Sequence, residues 1–184
     1  MSKIAVVYFS QTGVTEALVQ ALCESASLVQ GCETQHLKIE GSDIIEGRFV
    51  NYAYFEALRD CDAIVFASPT YMGGVAAQFK AFCDATSELW CEQTWAGKLA
   101  AGMTCGAAFN GDQSTSLQYM ATLASQQGML WVSLDTPNGY GEHGVNRLGC
   151  QLGVVAQSDD GQVHAEDLAT ARYLGRRVAG LLRW

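Results

Sequence analysis

Short, continuous apolar runs recur along this chain, each followed by a turn and then by a helical pattern. Residues 3–9 are the first, carrying Ile4-Ala5-Val6-Val7-Tyr8-Phe9, and Ala63-Ile64-Val65-Phe66-Ala67 is the clearest. Two more lie at 98–104 and at Met129-Leu130-Trp131-Val132-Ser133-Leu134, and residues 33–39 make a weaker strand between the first two. A strand reads as an unbroken apolar run when both of its faces are buried, as in a parallel sheet with helices on each side. The intervening segments supply those helices. Val14, Leu18 and Leu22 stand four apart, and Gly31 closes their segment. Val75, Phe79, Phe82 and Leu89 predict one helix after the third strand, and 113–127 predicts another that stops at Gly128. Leu168, Ala171, Leu174, Val178 and Leu181 predict the last, and a short helix fits 51–59. Residues 40–50 and 135–162 read as loops, the second interrupted by a short apolar piece at 152–156. Five strands alternating with helices predict a doubly wound α/β sheet forming one domain over 1–184.

Composition narrows the function. Lys and Arg number 11 against 19 Asp and Glu, a net charge of −8, and only 16% of residues are charged. An acidic chain without a basic run argues against nucleic acid and against an anionic membrane surface. No apolar run approaches the roughly 20 residues that span a bilayer, and the N-terminal segment reads as a strand, not a signal peptide. The seven cysteines, at 23, 32, 61, 83, 91, 105 and 150, are odd in number and contain no C-x-x-C pair. They suit free thiols in a reducing cytoplasm, and no metal-ligand spacing accompanies His36, His143 or His164. So sparse a surface charge also predicts self-association.

Three loops gather the unusual residues at strand carboxyl ends, where doubly wound sheets bind ligands. The first is Ser10-Gln11-Thr12-Gly13-Val14-Thr15. Its three hydroxyls, its glycine and a helix N-terminus suit a phosphate, though helix capping uses the same residue types. It is neither a Walker loop nor G-x-G-x-x-G, so ATP and a standard dinucleotide grip are not expected. The second runs from Ser68 through Pro69, Thr70, Tyr71 and Met72 to Gly73 and Gly74. It fits the edge of a flat ring system, or an ordinary strand-to-helix turn. The third, Thr104-Cys105-Gly106-Ala107-Ala108-Phe109-Asn110-Gly111, offers small residues and one stacking face, while Asn110-Gly111 is also a common turn. Cys105 has no nearby His or Lys to activate it and reads as a wall residue.

Residues 6–15 resemble the flavodoxin phosphate loop, an apolar strand ending in Ser/Thr-x-Thr-Gly-x-Thr. Asp62 to Gly73, Phe82-Cys83-Asp84-Ala85-Thr86 with Leu89-Trp90, Gly97-Lys98-Leu99-Ala100 and Ala169 to Gly175 resemble a narrower group. That group is the tryptophan-repressor-binding-protein type of NAD(P)H:quinone oxidoreductase, within the NADPH-dependent FMN reductase superfamily. The resemblance covers most of the chain, is specific over 62–100, and is weak over 33–60 and 135–162.

The resemblance implies a flavodoxin-like fold with a five-stranded parallel sheet in the order 2-1-3-4-5 and FMN at the point of strand reversal. By position, residues 10–15 would hold the phosphate and Pro69, Thr70, Tyr71, Met72 and Gly73 would line the isoalloxazine. Thr104, Cys105, Gly106, Ala107 and Asn110 would meet its pyrimidine side, largely through backbone. Trp90 matches a position lining the nicotinamide or quinone pocket, often across a subunit interface, although the apolar end of a helix would also account for it. NAD(P)H would be the electron donor, a quinone the acceptor, and the assembly a homodimer or homotetramer. The cofactor supplies the chemistry, so no catalytic side chain is named. Two departures bear on the acceptor more than on FMN. The segment after the second strand is short and lacks a proline-rich stretch, and Gln126-Gln127 stands where the family often has His-His. Arg48 and Arg147 are loop candidates for an NADPH 2′-phosphate, and Glu142 and His143 read as solvated loop residues that could also shape the pocket. Two other readings use the same fold: a flavodoxin-type electron carrier without NAD(P)H turnover, and a non-enzymatic regulatory protein.

Overall fold

A computed structural model describes residues 1–137 and 144–183. Its first strand, β1 (Ser2–Tyr8), pairs in parallel with β2 (Cys32–Lys38) on one side and β5 (Ala63–Tyr71) on the other. Strand β5 continues the sheet to β7 (Leu99–Gly106), giving the order β2-β1-β5-β7 with a fifth position beyond. Two successive crossovers run in opposite directions from β1, so the order reverses between β1 and β5. This is the flavodoxin-like α/β arrangement that the sequence resemblance implies.

Burial on both faces explains why β1 carries no polar residue after Lys3. Ile4, Val6 and Tyr8 enter one core with Leu18 and Leu22 of α1 (Val14–Ser27) and Leu174 and Val178 of α6 (Ala165–Leu181). Ala5 and Val7 enter the other, with Phe79 and Phe82 of α3 (Ala77–Asp84) and Leu117 and Met120 of α5 (Gln113–Gln126). Each large side chain buried this way contributes about 1.5–3 kcal/mol by leaving water. The sheet therefore separates two cores, and side-chain alternation along β1 supplies both.

The structure differs from the sequence expectation in three places. The fifth strand, expected over 129–134, is split. Strand β8 (Leu130–Trp131) pairs only with Leu99 and Ala100, and β9 (Val154–Gln157) pairs with Met103 to Gly106. The apolar piece at 152–156 is thus an edge strand, not an interruption in a loop. Second, the helix expected after the third strand is two helices, α3 and α4 (Ser87–Glu92). Thr86 breaks it by donating its hydroxyl to the carbonyl of Cys83 at 2.7 Å. Third, the loop at 40–50 holds a small hairpin, β3 (Ile44–Ile45) with β4 (Arg48–Phe49), before α2 (Ala53–Arg59). His164, near the start of α6, caps it by accepting from the N–H of Glu166.

Helices α1 and α6 pack closely because one residue is missing its side chain. A Cβ at Gly175 would lie 2.4 Å from the carbonyl of Leu22 and 2.6 Å from Ser25 Oγ. That same Ser25 hydroxyl sits 3.0 Å from the Leu22 carbonyl and 2.7 Å from the Arg172 carbonyl, bridging the helices. Gly175→Ala should force the pair apart and cost about 1–3 kcal/mol, read as a lower urea midpoint. An unchanged midpoint would show that the contact has slack.

Candidate functional site

The first loop leaves the buried end of β1 and turns into α1 through Gly13, whose φ of 89° is the left-handed region that suits glycine. No side chain of the N-cap residue caps the helix. The first backbone bond of α1 runs from Ala17 N to Gly13 O, and Ser10 Oγ accepts from Glu16 N at 3.2 Å. Val14 and Thr15 therefore keep N–H groups without partners among the described residues. Helix N-termini with free N–H groups favour anions. The Thr12 hydroxyl is exposed and also without a partner among the described residues, whereas Thr15 is buried with its Oγ1 3.4 Å from Cys105 Sγ. The three hydroxyls therefore have separate tasks: Ser10 holds the helix start, Thr12 is open, and Thr15 touches the opposite wall. Gln11 is exposed at the outer side of the turn.

One carboxylate, Glu16, lies in the first turn of α1 and would repel an anion. It is drawn aside by Tyr8, which donates its phenol to Oε1 at 3.2 Å, and by Lys38, 3.3 Å from Oε2. Burial, and then Glu16, raise the Tyr8 phenol well above its ordinary value, so it remains a donor. The Glu16 contacts likewise raise Lys38, which stays charged.

The second loop is a hairpin. Strand β5 runs on to Tyr71, and Met72 and Gly73 turn at φ 49° and 75° into β6 (Gly74–Val75), which pairs back on Thr70 and Tyr71. Ser68 staples its base: fully buried, it accepts from Ala76 N at 2.9 Å and donates to the Pro69 carbonyl at 3.0 Å. Thr70 turns its hydroxyl inward, 2.8 Å from both Thr104 and Ser116. Its side-chain oxygen is used inside the protein, so only its backbone and methyl face the cleft. Met72 is fully exposed at the tip and Tyr71 about half exposed.

The third loop rises from β7. Thr104 is buried beneath it. Gln113 closes the loop by accepting from Gly111 N and donating to the Ala108 carbonyl. Gly106 makes room for that glutamine, since a Cβ there would lie 2.7 Å from its Nε2. Asn110 is exposed at the loop's far end.

These loops enclose a cleft of about 300 Å³, at the lower end of the range for small-molecule sites. Eight of the sequence candidates line it: Thr12, Val14, Pro69, Thr70, Tyr71, Cys105, Gly106 and Ala107. Ser158, Asp159 and Gly161, from the loop between β9 and α6, also line it and were not singled out in the sequence. The Ser158 N–H donates to the Gly106 carbonyl at 3.0 Å, while its Oγ is enclosed without a hydrogen-bond partner among the described residues. A Ser-Asp-Asp-Gly segment resembles any turn, so only its placement beside β7 distinguishes it. Among the described residues, no Lys or Arg lines the cleft. The wall fits an anionic, partly flat molecule such as FMN, held by neutral donors at the phosphate end and by small residues and one aromatic ring elsewhere.

Two sequence candidates lie apart. Trp90, half exposed on α4, borders a separate groove with Lys80, Tyr119 and Gln126, none of which lines the cleft. Neighbouring Gln127 is buried and donates its Nε2 to the carbonyl and hydroxyl of Thr86, so it clips the α3–α4 break. Arg147 is not free for a 2′-phosphate: it forms a two-pronged pair with buried Asp167 at 2.8 and 2.7 Å and stacks over Phe109. Glu142 and His143 lie outside the described residues.

Comparison with known proteins gives this site its context. A family model described as NADPH-dependent FMN reductase matches residues 2–136. The chain belongs to that family. FMN is the family's cofactor, with NAD(P)H as donor. The chain is 38% identical to Flavodoxin FldP of Pseudomonas aeruginosa, over 97% of this chain and 96% of that one. It is 33% identical to an NAD(P)H dehydrogenase (quinone) of Deinococcus radiodurans, over 97% and 94%. A crystal structure of a WrbA-like flavodoxin from Agrobacterium tumefaciens superposes with a TM-score of 0.78 at 37% identity, covering 100% of this chain and 98% of that one. The family resemblance read from the residues is thereby confirmed, and the chain is an FMN-dependent oxidoreductase by family.

Ser68→Ala should leave the buried Ala76 N–H without its acceptor, at a cost of about 1–3 kcal/mol. Hydrogen exchange at 70–76 should then accelerate more than in β1. Equal protection in both segments would show that the staple does not hold the hairpin.

Proposed function

We propose that this protein oxidises NAD(P)H and delivers the electrons to a quinone, with FMN seated in the cleft between the three loops. The observation that carries the reading is the placement of that cleft. It lies at the strand carboxyl ends beside the β1–β5 reversal, with unpaired N–H groups at one side and an enclosed free hydroxyl at another. In this reading the N–H groups of Gly13, Val14 and Thr15 and the hydroxyls of Thr12 and Thr15 hold the phosphate, with Ser10 and Gln11 shaping the turn. Pro69 to Gly73 support the ring edge as a rigid hairpin. Thr104 to Ala107 and Asn110 offer backbone groups to the pyrimidine side, and Ser158 closes the cleft from the far edge. Bound FMN supplies two-electron chemistry, taking up and returning a hydride equivalent. The protein's share is to bind, orient and exclude water, and no side chain is required as acid or base. The thiols remain free, in keeping with work in a reducing cytoplasm.

Likeness to a protein named flavodoxin supports a second reading, in which the chain carries electrons without turning over NAD(P)H. One experiment separates them. Purified protein mixed with FMN and desalted should retain flavin absorbance, and NAD(P)H should then be consumed steadily with benzoquinone. Retained flavin without consumption would establish the carrier, and loss of all flavin on desalting would overturn both.

Trp90 takes its place in this reading through a second copy. It lies apart from the cleft of its own protomer, yet the sequence resemblance assigns it to a nicotinamide or quinone pocket, and only 16% of the chain is charged. A homodimer or homotetramer would bring it to a neighbouring cleft. Light scattering should show an oligomer at micromolar concentration. Trp90→Ala should raise the quinone KM several-fold while FMN affinity stays unchanged. A strict monomer with an unaltered KM would remove Trp90 from the site.

A further inference from the structure

Thr15 and Cys105 are 90 residues apart in sequence and meet Oγ1 to Sγ at 3.4 Å, with Cys105 lining the cleft and Thr15 buried behind it. Both are buried, at 1% and 6% exposure. Thr15 stands in the first turn of α1, beside the unpaired N–H groups. Cys105 is the second-last residue of β7 and lines the cleft itself. Burial pushes the thiol above its ordinary value, while the contact with Thr15 pulls it slightly the other way, so at neutral pH it remains S–H.

The contact has two possible directions. A hydroxyl has one proton and two lone pairs, and a thiol is a weak donor and a weak acceptor. If Thr15 donates to sulfur, its only proton is directed into the wall. If sulfur donates to Thr15, that proton is left for a ligand. An ionised acceptor in the cleft favours the second direction, because a hydrogen bond to a charged oxygen is roughly twice as strong as a neutral one.

We propose that Cys105 is a positioning residue for the ligand phosphate: its S–H donates to Thr15 Oγ1 and so commits the Thr15 hydroxyl proton to the anion. This rests on the reading that residues 10–15 hold the phosphate of FMN. Cys105 acts through Thr15, neither as a nucleophile nor as a redox group. Serine at 105 would donate in the same way. Alanine would leave the hydroxyl without a donor, free to turn its proton toward other acceptors. A residue that merely filled the wall would affect the flavin ring as much as the phosphate, and riboflavin, which lacks the phosphate, separates the two roles.

The test is a fluorescence titration of FMN and riboflavin into wild type, Cys105→Ser, Cys105→Ala, Thr15→Val and the Cys105→Ala/Thr15→Val double variant, with circular dichroism to check folding. Cys105→Ala should weaken FMN about three- to tenfold and riboflavin less than about twofold. Cys105→Ser should stay within about twofold of wild type for both. In the Thr15→Val background, Cys105→Ala should add nothing further, since the two residues act as one unit. Equal weakening of both ligands by Cys105→Ala, an unchanged FMN affinity, or additive effects in the double variant would overturn the proposal. If Thr15→Val lowers the preference for FMN over riboflavin and Cys105→Ala does not, the proposal alone fails. If Thr15→Val leaves that preference unchanged, the phosphate lies elsewhere, and the reading beneath the proposal fails with it.

Discussion

Burial of β1 on both faces is the constraint on which the rest of this structure depends. A strand with Ile4 to Tyr8 removed from water must have a neighbour on each edge and helices on each face. Strands β2 and β5 provide the edges, α1 and α6 cover one face, and α3 and α5 cover the other. With β1 between β2 and β5 and the chain leaving it first to β2 and then across to β5, the loops after β1 and β5 diverge at their carboxyl ends. The gap between them is a geometric result of the winding, not a feature that any one loop builds.

The gap becomes a site through small local decisions. Gly13 ends one loop so that a helix begins with unpaired N–H groups. Ser68 and the Thr70–Thr104–Ser116 hydroxyl cluster turn the other into a stapled hairpin, whose side-chain hydroxyls are used inward. Tyr8 and Lys38 hold aside the carboxylate of Glu16, in the first turn of α1. None of these adds positive charge to the cleft. An acidic protein can thus offer a place to a phosphate through backbone dipoles and hydroxyls.

How much of this was legible followed from the range of the interactions. Strands β1, β5 and β7 stood out because a doubly buried strand is apolar throughout, and the loop at 10–15 because its pattern is compact. The fifth strand was misread because its two parts, two and four residues long, are too short to show a period and are separated by 22 residues (132–153). The α3–α4 break was hidden because no glycine or proline marks it, and Thr86 and Gln127 make it through contacts 3 and 41 residues away. Ser158 and the Thr15–Cys105 contact were invisible for the same reason: each depends on a contact between segments far apart in sequence. Arg147 stood as a candidate for a 2′-phosphate because its partner, Asp167, is 20 residues further on.

The divided edge of the sheet has a consequence for how the molecule can be cut. The stretch matched by the family model ends at 136, and β9 begins at 154. A fragment ending with that stretch would keep both the turn at 10–15 and the hairpin. It would lose the strand that pairs with Met103 to Gly106, the Gln157 side chain that holds the Ala107 carbonyl, and the Ser158 wall. It would also lose α6, and with it half the cover over the first core. The chain's last quarter is thus the keystone of a cavity whose recognisable residues all lie in the first three.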